Sequence, residues 1–515
     1  MRPNAGGRRL QAPLLCAVGI CLVYLAFFPA VIYSVDGNSM IAVSESLVTG
    51  HGFAVPIAGL GVIGRHGVYY SRWYPLLSIL ALPLVAIAVF ASHHLNLPQH
   101  YVAALFAVTL SPILTAASAL MVGLLARRLG ATTRGAILAA LGFAFGTIAP
   151  VYSRLFFADP LLALLTVAGI YFTLGDEWRG ATAAALLAVL AKPTGIVLGP
   201  CLGGYLLCKR QPAGRWIAPL CGTAVGLLIY LAYNWARFAN PFDFGQPETF
   251  ALRIVPYAIA GLLISPGRGL LWYSPAVIAV AAVPGAIFKR WEGRLIVAVA
   301  GAYLAEHSIW MSWAGGWSWG PRLLLPAMPG LMALVGPLER RRRWLLIALA
   351  IAGFIVNAPT LMSFFERYYQ EALAAKISAA AQTWNPLYAP AFRIWGAAWR
   401  ETADAYRNAD QVGAFVRQAG TAPLATRVES SRTLRVVNLW WWMLPAVGIP
   451  RIAGATVSSV LLIIGLWLIA RAGPRAGQRR RAFVHRAIES SAGIVTSIRS
   501  SCGSYPVRSC PAAAA

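Results

Sequence analysis

Asp36 follows directly on a long apolar run, in Tyr33-Ser34-Val35-Asp36-Gly37-Asn38. A carboxylate held there can take the proton from a hydroxyl nucleophile. It can equally cap the helix predicted by the pattern Met40, Ile41, Val43 and Leu47, which ends at Gly50-His51-Gly52. Arg72 lies in Tyr69-Tyr70-Ser71-Arg72-Trp73-Tyr74-Pro75, and Arg154 and Asp159 share Tyr152-Ser153-Arg154-Leu155-Phe156-Phe157-Ala158-Asp159-Pro160. Arginine offers phosphate oxygens a two-pronged fork. The plainer alternative for both arginines is snorkelling at a membrane boundary. Lys192, in Lys192-Pro193-Thr194-Gly195, interrupts apolar sequence. An ionisable group there is costly, and it usually faces a pathway or a partner. Asp159 is a candidate to pair with Arg154 or to orient a reacting hydroxyl.

A further constellation runs Trp310-Met311-Ser312-Trp313-Ala314-Gly315-Gly316-Trp317-Ser318-Trp319-Gly320-Pro321-Arg322. It reads either as an interfacial aromatic belt or as a wall on which a sugar stacks, with Arg322 beside an anion. Tyr70, Trp313, Trp317 and Trp319 are the candidate lining residues on the second reading. The turn-rich stretches around Arg237 and Arg268 read as loop scaffolding. His93, His94 and His100 have no carboxylate among them, and no metal-ligand spacing occurs. The cysteines lie in or beside apolar runs or in the tail, so no disulfide framework is expected.

The elements that position these residues are membrane helices. Of 515 residues, 58% are hydrophobic and 12% charged, against about 25% charged in ordinary soluble domains. Apolar runs recur near the length of about 20 residues that a bilayer demands. The net charge of +26 sits in short clusters between those runs. Orientation by cytoplasmic positive charge explains it without nucleic acid. Placing these clusters and both termini in the cytoplasm predicts twelve spans, near 12–32, 101–126, 135–151, 158–174, 181–191, 194–208, 214–235, 274–288, 294–312, 322–338, 343–362 and 452–471. The first is read as an uncleaved span, since no small-x-small cleavage site follows it. Tyr74 to Ala91 is read as a re-entrant or interfacial element. The expected organisation is a membrane domain at 1–362, an outer helical segment at 363–437, a terminal membrane segment at 438–472, and a basic, disordered tail at 473–515.

The ordered set Asp36, Arg72-x-x-Pro75, Asp159 and Ala191-Lys192-Pro193, spread over residues 12–340, resembles the GT-C superfamily of polytopic glycosyltransferases. It looks most like the branch containing protein O-mannosyltransferases and aminoarabinose transferases. The chain departs from that pattern in lacking the usual tyrosine after Asp36, and in having arginine where lysine is usual at 72. The resemblance implies an all-α bundle of about twelve transmembrane helices, with amphipathic helices in the first outer loop. It implies a polyprenyl-phosphate-linked sugar as donor and a protein, glycolipid or wall glycan as acceptor. It places the site on the outer side of the plasma (inner) membrane, with divalent metal dependence left open. On this reading Asp36 is the base, with Asp159 as its partner in catalysis. Arg72, Arg154, Lys192 and Arg322 receive the phosphate. The rival is a transporter or flippase of lipid-linked sugars, which also suits twelve spans, although no two-half repeat is visible.

Overall fold

Charged breaks and prolines divide the chain into short helices, and among the described residues helix is nearly the only regular structure. The computed structural model describes residues 5–473, except 57–58, 96, 248 and 409–435, and excluding the side chains of 5–10 and 446–447. The expected disorder of the tail and part of the outer segment lie outside the described residues. One compact unit runs to Ala472.

Among the described residues, four helical stretches are long and apolar enough to cross a membrane: Gln99–Arg128, Ala213–Phe238, Arg340–Leu361 and Arg451–Ala472. Shorter apolar helices such as Thr133–Gly146, Ala158–Leu174 and Trp178–Ala191 pack among them. Prolines account for much of the shortening. The expected span 274–288 divides into a 3-10 stretch Pro275–Ala282 and a helix Pro284–Phe288. The one at 322–338 begins as a 3-10 turn, Arg322–Ala327, before the helix Met328–Val335. Leu228, Trp344, Ile351, Ile452 and Ile463 stand exposed on the long helices. In water each would forgo about 1.5–3 kcal/mol of burial; in hydrocarbon they are at home. The chain is an integral membrane protein.

Small residues bring the helices together. Ala5–Ala26 crosses Arg451–Ala472 where a Cβ on Gly19 would lie 2.6 Å from the Gly465 carbonyl. Ala213–Phe238 meets Trp178–Ala191 through Gly222 and Gly226, whose added Cβ atoms would meet the Thr182 and Leu186 carbonyls at 2.5 and 2.6 Å.

The first loop carries the helix Val35–Val48, and its residues 37–46 are all buried. It is therefore packed on every side. Ser44 Oγ donates to Ser78 O (2.9 Å) and Ser78 Oγ to Met40 O (2.9 Å), stapling it to the helix Pro75–Leu80. Tyr74 to Ala91 falls in that helix and the next, Leu82–Leu95, which bury Leu77, Ala81, Val85 and Ala88 and expose Ile87 and Phe90. A two-stranded hairpin, Val62–Ile63 with Tyr69–Tyr70, is the only sheet among the described residues. The outer segment forms the helices Phe365–Ala374, Ala379–Trp384 and Pro390–Arg407.

Candidate active site

Ser34 caps the helix Val35–Val48, its Oγ accepting from Gly37 N at 2.8 Å. Asp36 is thus released from capping and sits in the first turn. Asp159 likewise occupies the first turn of Ala158–Leu174. Both carboxylates stand where the helix dipole favours negative charge. The Trp178–Ala191 helix stops at Lys192, whose backbone is extended, and Pro193 opens a 3-10 turn to Val197. The expected break is present, and it turns the ammonium inward.

Arg322 joins these pieces. Its Nη1 lies 3.4 Å from Asp36 Oδ2 and its Nε 3.8 Å from Asp159 Oδ2. Lys192 Nζ donates to Asp159 Oδ1 at 2.7 Å. Asp159 therefore pairs with Lys192 and Arg322, and not with Arg154, one of the two roles expected for it. Its side chain is 3% exposed, against 25% for Asp36. Only the second is open to a substrate. Arg322 Nε is itself buried and faces Asp159 beyond hydrogen-bond distance.

Asp36 lines a cavity of about 320 Å³ together with Arg72, Lys192, Arg322, Trp317 and Glu366. That volume sits at the small end of ligand pockets. Arg72 reaches it because Ser71 is fixed. Ser39 Oγ donates to Ser71 Oγ at 2.7 Å, and Arg237 donates to the Ser71 carbonyl. Burial pushes the Asp36 carboxyl above its usual range, opposed by Arg322 and Arg72. A desolvated carboxylate is a stronger base than one in water.

The tryptophans divide. Trp317 and Trp310 face the cavity. Trp317 stacks on Tyr369 at 6.3 Å, and Arg268 braces this loop by donating to Gly316 O at 2.7 Å. Trp313 packs instead against Gly261 and edge-on to Tyr257. Trp319 is fully buried, and its Nε1 donates to Asn357 Oδ1 at 2.6 Å. Tyr70 is a hairpin residue set edge-on to Phe238 and does not line the cavity.

Arg154 also lies apart. It is 4% exposed and donates to Phe27 O (2.5 Å), Thr360 O (2.7 Å) and Asn438 O. Three carbonyls use its fork, so its expected phosphate role is replaced by that of a strut joining distant segments. Conversely, Glu366, Arg367 and Gln370 line the cavity from the outer segment. Their spacing on one helical face was the available signal. Arg367 also pairs with Glu401 at 3.5 Å. Among the described residues, no group of three or more His, Cys, Asp or Glu side chains stands together to hold a metal.

No protein-family model and no curated protein matches the sequence. Among solved structures, the chain is similar to ArnT from Cupriavidus metallidurans in the apo state, with 16% identity and a TM-score of 0.47 over 89% of this chain and 77% of that one. The same protein bound to undecaprenyl phosphate gives 15%, 0.47, 91% and 79%. The Archaeoglobus fulgidus oligosaccharyltransferase in complex with Zn and sulfate gives 14%, 0.43, 83% and 57%.

Proposed function

We propose that this chain is a membrane glycosyltransferase of the GT-C type. It moves a sugar from a polyprenyl-phosphate carrier to an acceptor hydroxyl on the extracytoplasmic face of the plasma (inner) membrane. The observation that carries this reading is the convergence of one accessible carboxylate, Asp36, with the cations Arg72, Lys192 and Arg322 in a single cavity.

The step balances with these groups alone. The acceptor hydroxyl gives its proton to Asp36 while its oxygen bonds to the anomeric carbon. The carbon–oxygen bond to the carrier phosphate breaks, and the phosphate leaves with the electron pair. Phosphate leaves well without a general acid, so the protein must chiefly stabilise the charge that gathers on it. Fixed cations in a partly dry site do this without reorganisation. Asp159 positions Lys192 and Arg322 and takes no proton. Trp317 and Trp310 offer faces for the sugar. Glu366 and Gln370 lie where acceptor hydroxyls would enter.

The test is to incubate the purified protein, with an acceptor preparation, with a panel of polyprenyl-phosphate sugars. Release of free polyprenyl phosphate from at least one of them is expected. No release from any sugar, by protein shown to be folded, contradicts the reading.

A further inference from the structure

The turn that presents Asp36 is gripped from behind by a buried polar chain outside the transfer cavity. Asn38 Nδ2 donates to Ile32 O at 2.8 Å and to Ser34 O at 3.0 Å. Those bonds fix the amide, so its Oδ1 is left as an acceptor, facing His100 Nε2 at 3.0 Å. On the other side of the ring, Nδ1 faces Glu45 Oε2 at 2.5 Å, and Gln99 Nε2 donates to Glu45 Oε1 at 3.2 Å. Asn38, Glu45 and His100 are all buried, at 3%, 8% and 9% exposure.

A hydrogen inventory constrains the chain. An amide oxygen only accepts, so His100 Nε2 must carry a hydrogen. Between Nδ1 and the carboxylate there would then be two lone pairs, unless one proton lies between them. The pair is therefore either imidazolium with carboxylate or neutral ring with carboxylic acid. Loss of that proton sets two lone pairs face to face at Glu45. Moving the ring hydrogen to Nδ1 instead sets lone pairs face to face at Asn38. Either outcome breaks one link.

The other titratable groups nearby are few. Among the described residues, the helix Leu82–Leu95 brings His93 and His94 at its exposed end. The loop after Val48 brings His51, which is exposed and bonded to Thr49 Oγ1 at 2.9 Å. With Glu45, Gln99 and His100, His51 lines a second cavity of about 460 Å³. Its exposed rim gives the shared proton a way to the solvent.

We propose that Glu45 and His100 are positioning residues for Asp36, holding its turn through Asn38 by the proton they share. This rests on Asp36 being the base. Glu45→Gln is the discriminating variant. Its amide N–H can donate to Nδ1 of a neutral ring whose Nε2–H still reaches Asn38, so the chain survives without the extra proton. The expected result is a loss of at most about threefold in kcat, with the donor KM unchanged. His100→Phe fills the space and makes neither link. It is expected to lower kcat by about ten- to a hundredfold, the scale of a small misplacement of a reacting group, with the donor KM unchanged. A kcat in Glu45→Gln as low as that of His100→Phe, or full kcat in His100→Phe, overturns the proposal. Asp36→Asn assayed in parallel separates the two ideas. If that variant is active, the base assignment itself has failed. If it is inactive while His100→Phe keeps full kcat, only the positioning chain has failed.

Discussion

Arg322 Nη1 lies 3.4 Å from Asp36 Oδ2, joining two residues 286 positions apart in the chain. The same guanidinium reaches toward Asp159, so one planar cation is shared by a carboxylate open to substrate and one sealed behind it. An ammonium is a compact point charge without this planar fork. Arg322→Lys is therefore expected to lower kcat/KM by about ten- to a hundredfold, the worth of one hydrogen bond to a charged group. Steady-state kinetics on folded protein checks this.

The acid limb of activity reports Asp36. Burial raises its carboxyl, and Arg322 and Arg72 hold it back down. A base works only when deprotonated, so activity is lost as pH falls through this raised value. The limb is expected above the ordinary carboxylate range. Arg322→Gln removes an opposing positive charge and should move the limb to still higher pH. The pH profile of kcat/KM for each protein is the measurement, and a limb that stays fixed in Arg322→Gln counts against the pairing.

Lys192 and Asp159 form a buried pair at 2.7 Å. Removing one partner strands the other, at about 3–5 kcal/mol. Lys192→Met and Asp159→Asn should each lower the thermal midpoint in detergent. The double variant Lys192→Met/Asp159→Leu should recover much of that loss and still fail to transfer sugar, since the cation for the leaving phosphate is gone.

Arg154 provides the contrast. Arg154→Gln should lower the thermal midpoint by freeing the carbonyls of Phe27, Thr360 and Asn438. The donor KM of whatever protein folds should not change. A raised donor KM with unaltered stability would restore its phosphate role.

What the sequence disclosed followed from cost. Asp36, Asp159 and Lys192 are charges at the edge of, or inside, apolar runs, and such charges seldom persist without partners. Their convergence was therefore legible, as was the break at Lys192. Arg154 carries the same signal as Arg72, because a fork filled by three distant carbonyls leaves no trace in local spacing. His100 was grouped with His93 and His94, and its carboxylate partner lies 55 positions away in sequence. Likewise, alternating glycine and tryptophan did not reveal which rings turn inward. Trp319 is taken by Asn357, while Trp317 faces the cavity. The short helices trace to prolines within apolar runs, which hydropathy alone reads as continuous spans.

The most direct measurement is turnover of a lipid-linked sugar donor by Asp36→Asn, an isosteric change that leaves the Ser34 cap and the fold in place. Sugar transfer reduced by at least about a hundredfold, the lower end of the range for loss of a general base, with unchanged stability and donor binding, is the predicted result. Transfer at the parent's rate would contradict the account.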